Sequence, residues 1–272
     1  MSQSLTSAST LPAEPGQDVL LKAEDITLKF KGVTALNAVS FDVRPGELFA
    51  VIGPNGAGKT SLFNVLTRVY QPIGGAIHYN GLDLLSLRTD KLASVGIART
   101  FQNLGLFPLM SVLENLLVCR HHLMKSGVVL GGLHFGLSAK EERSHRAYCL
   151  EIANLLGLTR WLERTARDLP YGIQKKIELA RALAMEPKLL LLDEPVAGMN
   201  HEETEEIAQI ILTIQSQMKI AQVLVEHDMA MVMGIADRVM VLDFGQRIAL
   251  GLPGEVQANP EVIRAYLGDG DY

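Results

Sequence analysis

Gly53-Pro54-Asn55-Gly56-Ala57-Gly58-Lys59-Thr60, followed by Ser61, has the residue types and spacing of a loop that grips phosphate, G-x-x-x-x-G-K-[ST]. Its glycines let successive backbone N–H groups approach an anion with no Cβ in the way. A helix starting behind the loop adds the attraction of its positive end. Lys59 can reach the outer phosphates, and the Thr60 hydroxyl can ligate Mg²⁺. Such chemistry needs a second acid for the metal and a way to activate water. Asp193, at the end of the apolar run Leu189 to Leu192, supplies the acid, and the adjacent Glu194 is the natural general base. His227 closes another short apolar run and can donate to a terminal phosphate. The Gln102 amide can reach Mg²⁺ or the water; its bland alternative is a surface glutamine.

These residues need elements to hold them. Leu48 to Ile52 reads as a buried strand and Ser61 to Leu66 as a helix, the strand–loop–helix context the motif requires. Leu21, Ala23, Ile26, Leu28 and Phe30 alternate with polar residues, and residues 39–43 repeat the pattern. That predicts antiparallel strands joined by a turn around Lys31-Gly32. Residues 74–81 form a hairpin-like strand bounded by turn residues. From about residue 101 to 164 the pattern turns helical. Ser111 and Glu114 fit a capping box, residues 127–136 are a glycine-rich apolar insertion, and residues 138–156 an amphipathic helix. Helices over 170–185, 202–218 and 228–235 then alternate with strands over 188–193, 222–225 and 238–242. A turn at Gly245 and a short strand follow. Alternation of this kind implies an α/β sandwich with a mostly parallel core.

The 272 residues suffice for one large domain or two small ones. A net charge of −5 creates no global basic field for nucleic acid or anionic lipid. No stretch reaches the roughly 18 apolar residues of a membrane span. Residues 1–18 lack the basic start and apolar core of a signal peptide and read as a disordered tail. Cys119 and Cys149 have no metal-type spacing, nor do His121, His122, His134 and His145.

Taken in order, the motifs resemble the nucleotide-binding subunit of ATP-binding-cassette (ABC) transporters over about residues 19–268. They are Phe30, Gly53 to Ser61, Gln102, Leu169-Pro170-Tyr171-Gly172-Ile173-Gln174, Leu189 to Pro195, Ala197-Gly198-Met199-Asn200 and His227. The resemblance implies a P-loop (RecA-like) parallel-sheet core with an antiparallel β subdomain (together residues 19–100 and 165–268). It also implies an α-helical subdomain at about 101–164, and leaves 269–272 as a C-terminal tail. It implies an Mg²⁺-dependent ATPase with ATP and Mg²⁺ as cofactors and Phe30 stacked on adenine. Glu194, His227 and Gln102 would be catalytic, with Thr60, Gln102 and Asp193 around Mg²⁺. Tyr171, Gly172 and Gln174 would act on ATP held by an opposite subunit.

The implied partners are a second ABC ATPase subunit, two transmembrane permease subunits and, indirectly, an extracytoplasmic solute-binding protein, with no nucleic acid. The implied location is peripheral, on the cytoplasmic face of the inner membrane. Phe107 to Met110 could receive a helix of a permease, or could be ordinary core. Within the family, Tyr-Gly-x-Gln, Ala-Gly-Met-Asn, the insertion between Leu117 and Glu151 and the ending Val256 to Gly268 resemble the branched-chain amino-acid importer group. A lipid or polysaccharide exporter, a soluble cassette ATPase and a non-hydrolysing clamp are the alternatives. Two positions depart from the family pattern. Pro170 stands where the usual signature has a Ser that donates to the γ-phosphate, and Asn200 stands in place of the common Asp.

Overall fold

The computed structural model describes residues 19–100, 105–123 and 137–267. The expected tail at 1–18, Gln102, the insertion at 127–136, His134 and the tail at 269–272 lie outside the described residues.

Alternating burial builds the first sheet. Strands β1 (Leu21–Phe30) and β2 (Val33–Val43) pair antiparallel, with Phe30 opposite Val33. The two residues between them, Lys31 (φ 39°) and Gly32 (φ 96°), both have positive φ, as a two-residue turn matched to strand twist requires. β2 therefore starts six residues before the predicted strand at 39–43, its early exposed part held by hairpin pairing instead of burial.

Strand β3 (Leu48–Ile52) belongs to a second sheet, helix α1 (Lys59–Leu66) follows it, and β4 (Gly74–Tyr79) and β5 (Leu82–Asp83) complete the first, in order β2-β1-β4-β5. The second sheet adds β6 (Ile97–Arg99), β7 (Leu189–Asp193), β8 (Ala221–Val225), β9 (Arg238–Asp243) and β10 (Gln246–Gly251). Its order is β10-β9-β3-β8-β7-β6, parallel except for the β10 edge. β3, β7 and β8 are buried along their whole length, because both faces of the sheet are covered.

The two-residue period divides β3 between two cores. Phe49 and Val51 face the first sheet and α1. Leu48, Ala50 and Ile52 face the helices α2 (Val112–Cys119), α3 (Leu137–Leu155), α4 (Tyr171–Ala184), α5 (His201–Thr213) and α6 (Met229–Ile235). Two short helices, α7 (Pro253–Gln257) and α8 (Pro260–Leu267), end the described chain. The predicted capping box opens α2: Glu114 N–H donates to Ser111 Oγ at 3.2 Å and Ser111 N–H to Glu114 Oε2 at 2.7 Å. The helix expected over 202–218 changes pitch after Thr213 into one wider π turn, stopped by Lys219 in a left-handed conformation (φ 55°). Among the described residues no helix is long and apolar enough to cross a membrane.

Candidate nucleotide-binding site

β3 delivers the chain to the loop between neighbours β8 and β9, so the loop emerges at the carboxyl edge of the parallel strands. Gly58 takes a left-handed conformation (φ 104°), and a Cβ there would lie 2.7 Å from the Ala35 carbonyl oxygen. α1 starts at the next residue with no side-chain cap and no acid in its first turn. Its first N–H groups and positive dipole end thus remain directed at the loop. Lys59 Nζ lies over the loop, donating to Gly53 O at 2.6 Å and Pro54 O at 3.0 Å. Burial lowers the ammonium pKa, and the charge of Glu194 acts in the opposite direction.

A cavity of about 370 Å³ opens here, within the range of small-molecule sites. The loop from Asn55 to Ser61 and Glu194 bound it, together with residues 33–35 at the start of β2 and Phe244 and Gly245 from the β9–β10 turn. Val33 and Phe244 are exposed apolar side chains, which suits the rim of a site for a flat ring. Phe30, expected on adenine, is not among the lining residues; its ring stands edge-on to Tyr70, with centroids 4.9 Å apart.

Asp193 ends β7, 4% exposed, with Arg99 Nη2 donating to its Oδ2 at 2.6 Å. Glu194 has φ 47°, a left-handed value that turns its side chain away from the strand alternation. Its N–H still bonds Val225 O at 2.9 Å, which fixes that turn against β8. Behind it, the fully buried Glu226 accepts from Val196 N–H and His227 N–H, both at 3.0 Å. Burial pushes the Glu226 carboxyl pKa up. Glu226 thereby ties the turn after Asp193-Glu194 to the end of β8. The structure thus brings Glu194 together with the loop, while Asp193 is not among the lining residues and is tied through Arg99 to α1 behind the loop. His227 is placed at the end of β8 with its side chain 62% exposed and outside the cavity lining.

Tyr171, Gly172 and Gln174 start α4, and none of them lines this cavity. Pro170 is the N-cap of α4, just before the first turn, in an extended conformation with no side-chain cap bond. Tyr171 Oη donates to Ala197 O at 3.1 Å, tying the helix start to the loop 197–200. Gln174 folds back to donate to Leu169 O at 2.7 Å. Asn200 caps α5, with Oδ1 accepting from Glu203 N–H at 3.0 Å. Sequence reasoning missed Arg99, Val33 and Phe244. For Arg99 a signal existed, a charged residue in the otherwise apolar Ile97-Ala98-Arg99. Burial pushes the phenol pKa of Tyr266 on α8 up, and the Gly53 backbone acts in the opposite direction. Among the described residues no cluster of His, Cys, Asp and Glu could hold a metal by itself.

Residues 36–197, more than half of the chain, match the ABC transporter family. The chain belongs to the ABC transporter family. Residues 246–272 of this ABC subunit also match a family described as branched-chain amino acid ATP-binding cassette transporter. It is 42% identical over 253 residues to the high-affinity branched-chain amino acid transport ATP-binding protein LivG of Salmonella typhimurium, covering 92% of this chain and 98% of that one. It is 38% identical over 250 residues to BraF, of the same description, from Pseudomonas aeruginosa, again covering 92% and 98%. Among solved structures it is similar to the ADP conformation of MJ1267, an ATP-binding cassette of an ABC transporter. The TM-score is 0.80 at 30% identity, over 93% of this chain and 100% of that one. The α/β cassette fold of this ATP-hydrolysing subunit, expected from the motif order, is therefore established.

Proposed function

We propose that this ABC subunit powers import of branched-chain or related amino acids. The observation that carries the reading is the match of residues 246–272, the segment containing α8, to the branched-chain cassette family. Near full-length similarity to LivG and BraF accompanies it.

The uncapped start of α1 suits ATP phosphates, and glycine at position 58 lets the loop pack tightly against the Ala35 carbonyl, where a Cβ would lie 2.7 Å away. Thr60, Asp193 and Gln102 would hold Mg²⁺. Asp193 fits that role because, among the described residues, its Oδ1 accepts no hydrogen bond. Mg²⁺ would neutralise charge on the phosphates. Lys59 exchanges its bonds to two loop carbonyls for bonds to phosphate oxygens. Glu194 takes a proton from the water that attacks the γ-phosphorus, as the bond to the bridging oxygen of ADP breaks. His227 approaches the γ-phosphate by rotation of its exposed ring, and Gln102 orients the water. Phe30, together with Val33, contacts adenine.

The start of α4 lies outside the cavity of its own chain. Tyr171, Gly172 and Gln174 therefore serve ATP held by a second cassette subunit, where the α4 N–H groups meet the γ-phosphate. Residues 101–164 act as a helical subdomain that carries the motion to two permease subunits at the cytoplasmic face of the inner membrane. An extracytoplasmic solute-binding protein delivers the amino acid. The subunit should co-purify from native membranes with two polytopic proteins and a second cassette subunit. In liposomes, ATP turnover of that complex should rise with leucine-loaded binding protein. Turnover indifferent to every branched-chain amino acid would overturn the substrate assignment.

Pro170 lacks the hydroxyl that could bond the opposite γ-phosphate, and a hydrogen bond to a charged group is worth about 1.5–3 kcal/mol. Pro170→Ser should therefore tighten ATP-driven subunit association by about tenfold or more, measured by analytical ultracentrifugation with ATP titration.

A further inference from the structure

We propose that Arg99 is a positioning residue that orients Asp193 for its metal. The inference rests on the assignment of Mg²⁺ to Asp193. The Arg99 side chain is 11% exposed, at the end of the edge strand β6. Its Nη2 donates to Asp193 Oδ2 at 2.6 Å, and its Nη1 donates to Asn64 Oδ1 at 2.9 Å and Thr67 Oγ1 at 3.1 Å. The guanidinium carbon lies 5.6 Å from the centre of the Phe63 ring. Asn64, Thr67 and Phe63 follow the phosphate loop on or just after α1. One planar group therefore locks the helix behind the loop to the acid at the end of β7. The neighbouring Thr100 adds a second tie, its Oγ1 accepting from Asp193 N–H at 3.2 Å.

The arrangement divides the carboxylate. Arg99 holds Oδ2, while among the described residues Oδ1 accepts no hydrogen bond. A carboxylate with both oxygens in protein bonds would be a poor metal ligand, and one with neither would rotate. A fixed rotamer with one oxygen left over is what a metal site needs from its supporting shell. Stability alone is a weak reason for the pair, since a buried ion pair is often no better than apolar residues of equal volume. Lysine could not replace the fork, because a point charge cannot span three partners in fixed directions. Arg99 also lies three residues before Gln102 in the chain.

The test measures affinity for a fluorescent ATP analogue while Mg²⁺ is titrated, and separately in EDTA, on the purified full chain. Arg99→Gln should raise the Mg²⁺ concentration for half-maximal enhancement by about ten- to a hundredfold and leave affinity in EDTA within about twofold. Arg99→Lys should give a smaller shift. Asn64→Ala, which keeps the ion pair and loses one tether, should shift it by about threefold and covers the case in which Arg99→Gln does not fold. Asp193→Asn separates the two assignments. If it leaves the Mg²⁺ dependence unchanged, the metal assignment fails. If it changes that dependence while Arg99→Gln, or Asn64→Ala where Arg99→Gln is unfolded, does not, the role of Arg99 fails. Loss of thermal stability and of affinity in EDTA, with an unchanged Mg²⁺ midpoint, would make Arg99 a structural staple and overturn the proposal.

Discussion

Glu194→Gln should lower ATP turnover of the assembled complex by about a hundredfold or more while leaving ATP binding intact. Glutamine keeps the size and the left-handed turn at φ 47°, whose N–H is held by Val225 O, so the loop and Asp193 stay in place. Only the ability to take a proton from water is lost. The carboxylate lines the same cavity as the phosphate loop. Its charge supports the ammonium form of Lys59 against the burial that disfavours it, and ATP phosphates supply that negative charge when bound. The ATP-bound subunit pair should therefore form and then fail to separate. Phosphate release and size-exclusion chromatography in ATP and Mg²⁺ check both halves. Phosphate release equal to that of the unsubstituted complex would remove Glu194 from the role of base.

Gly53→Ala should cost about 4 kcal/mol or more in folding stability and abolish nucleotide binding. Gly53 has φ 149°, and a Cβ on it would collide with the backbone carbonyl of Leu242. That carbonyl belongs to β9, whose pairing with β3 runs up to Ile52 opposite Val241, so it cannot retreat without opening the sheet centre. The comparison is Gly56→Ala. Gly56 also has positive φ (82°), yet a Cβ there meets nothing within 4 Å. Only the left-handed penalty of about 1–2 kcal/mol applies. Urea unfolding of both variants separates close backbone approach from backbone strain. Equal midpoints would show that the sheet tolerates the extra carbon.

The sequence by itself determined the parts of this ABC subunit whose partners are near in the chain. Gly58, Lys59 and Thr60 lie on one loop and the helix that starts within it, so spacing alone reveals them. The capping box of Ser111 and Glu114 is local for the same reason. The runs of β3, β7 and β8 were legible because a strand covered on both faces needs apolar residues throughout. Motif order then identified the family, since a fixed succession of such local pieces rarely arises by chance.

The tertiary structure decided whatever depends on a partner far along the chain. Arg99 is 94 residues from Asp193, and no periodicity in a three-residue strand could announce that pair. Val33 and Phe244 meet at the cavity because β2 and the β9–β10 turn converge on the loop. Gln174 and Asn200 each satisfy a backbone group beside their own helix start. Helix ends leave backbone donors and acceptors unpaired, and a nearby polar side chain fills them at little entropic cost. Glu226 carries no motif signal in the sequence, and only packing makes it the buried acceptor joining two loops. Local chemistry is written in adjacent residues, whereas the pairing of buried charges and polar groups is imposed by which strands and helices the two cores bring into contact.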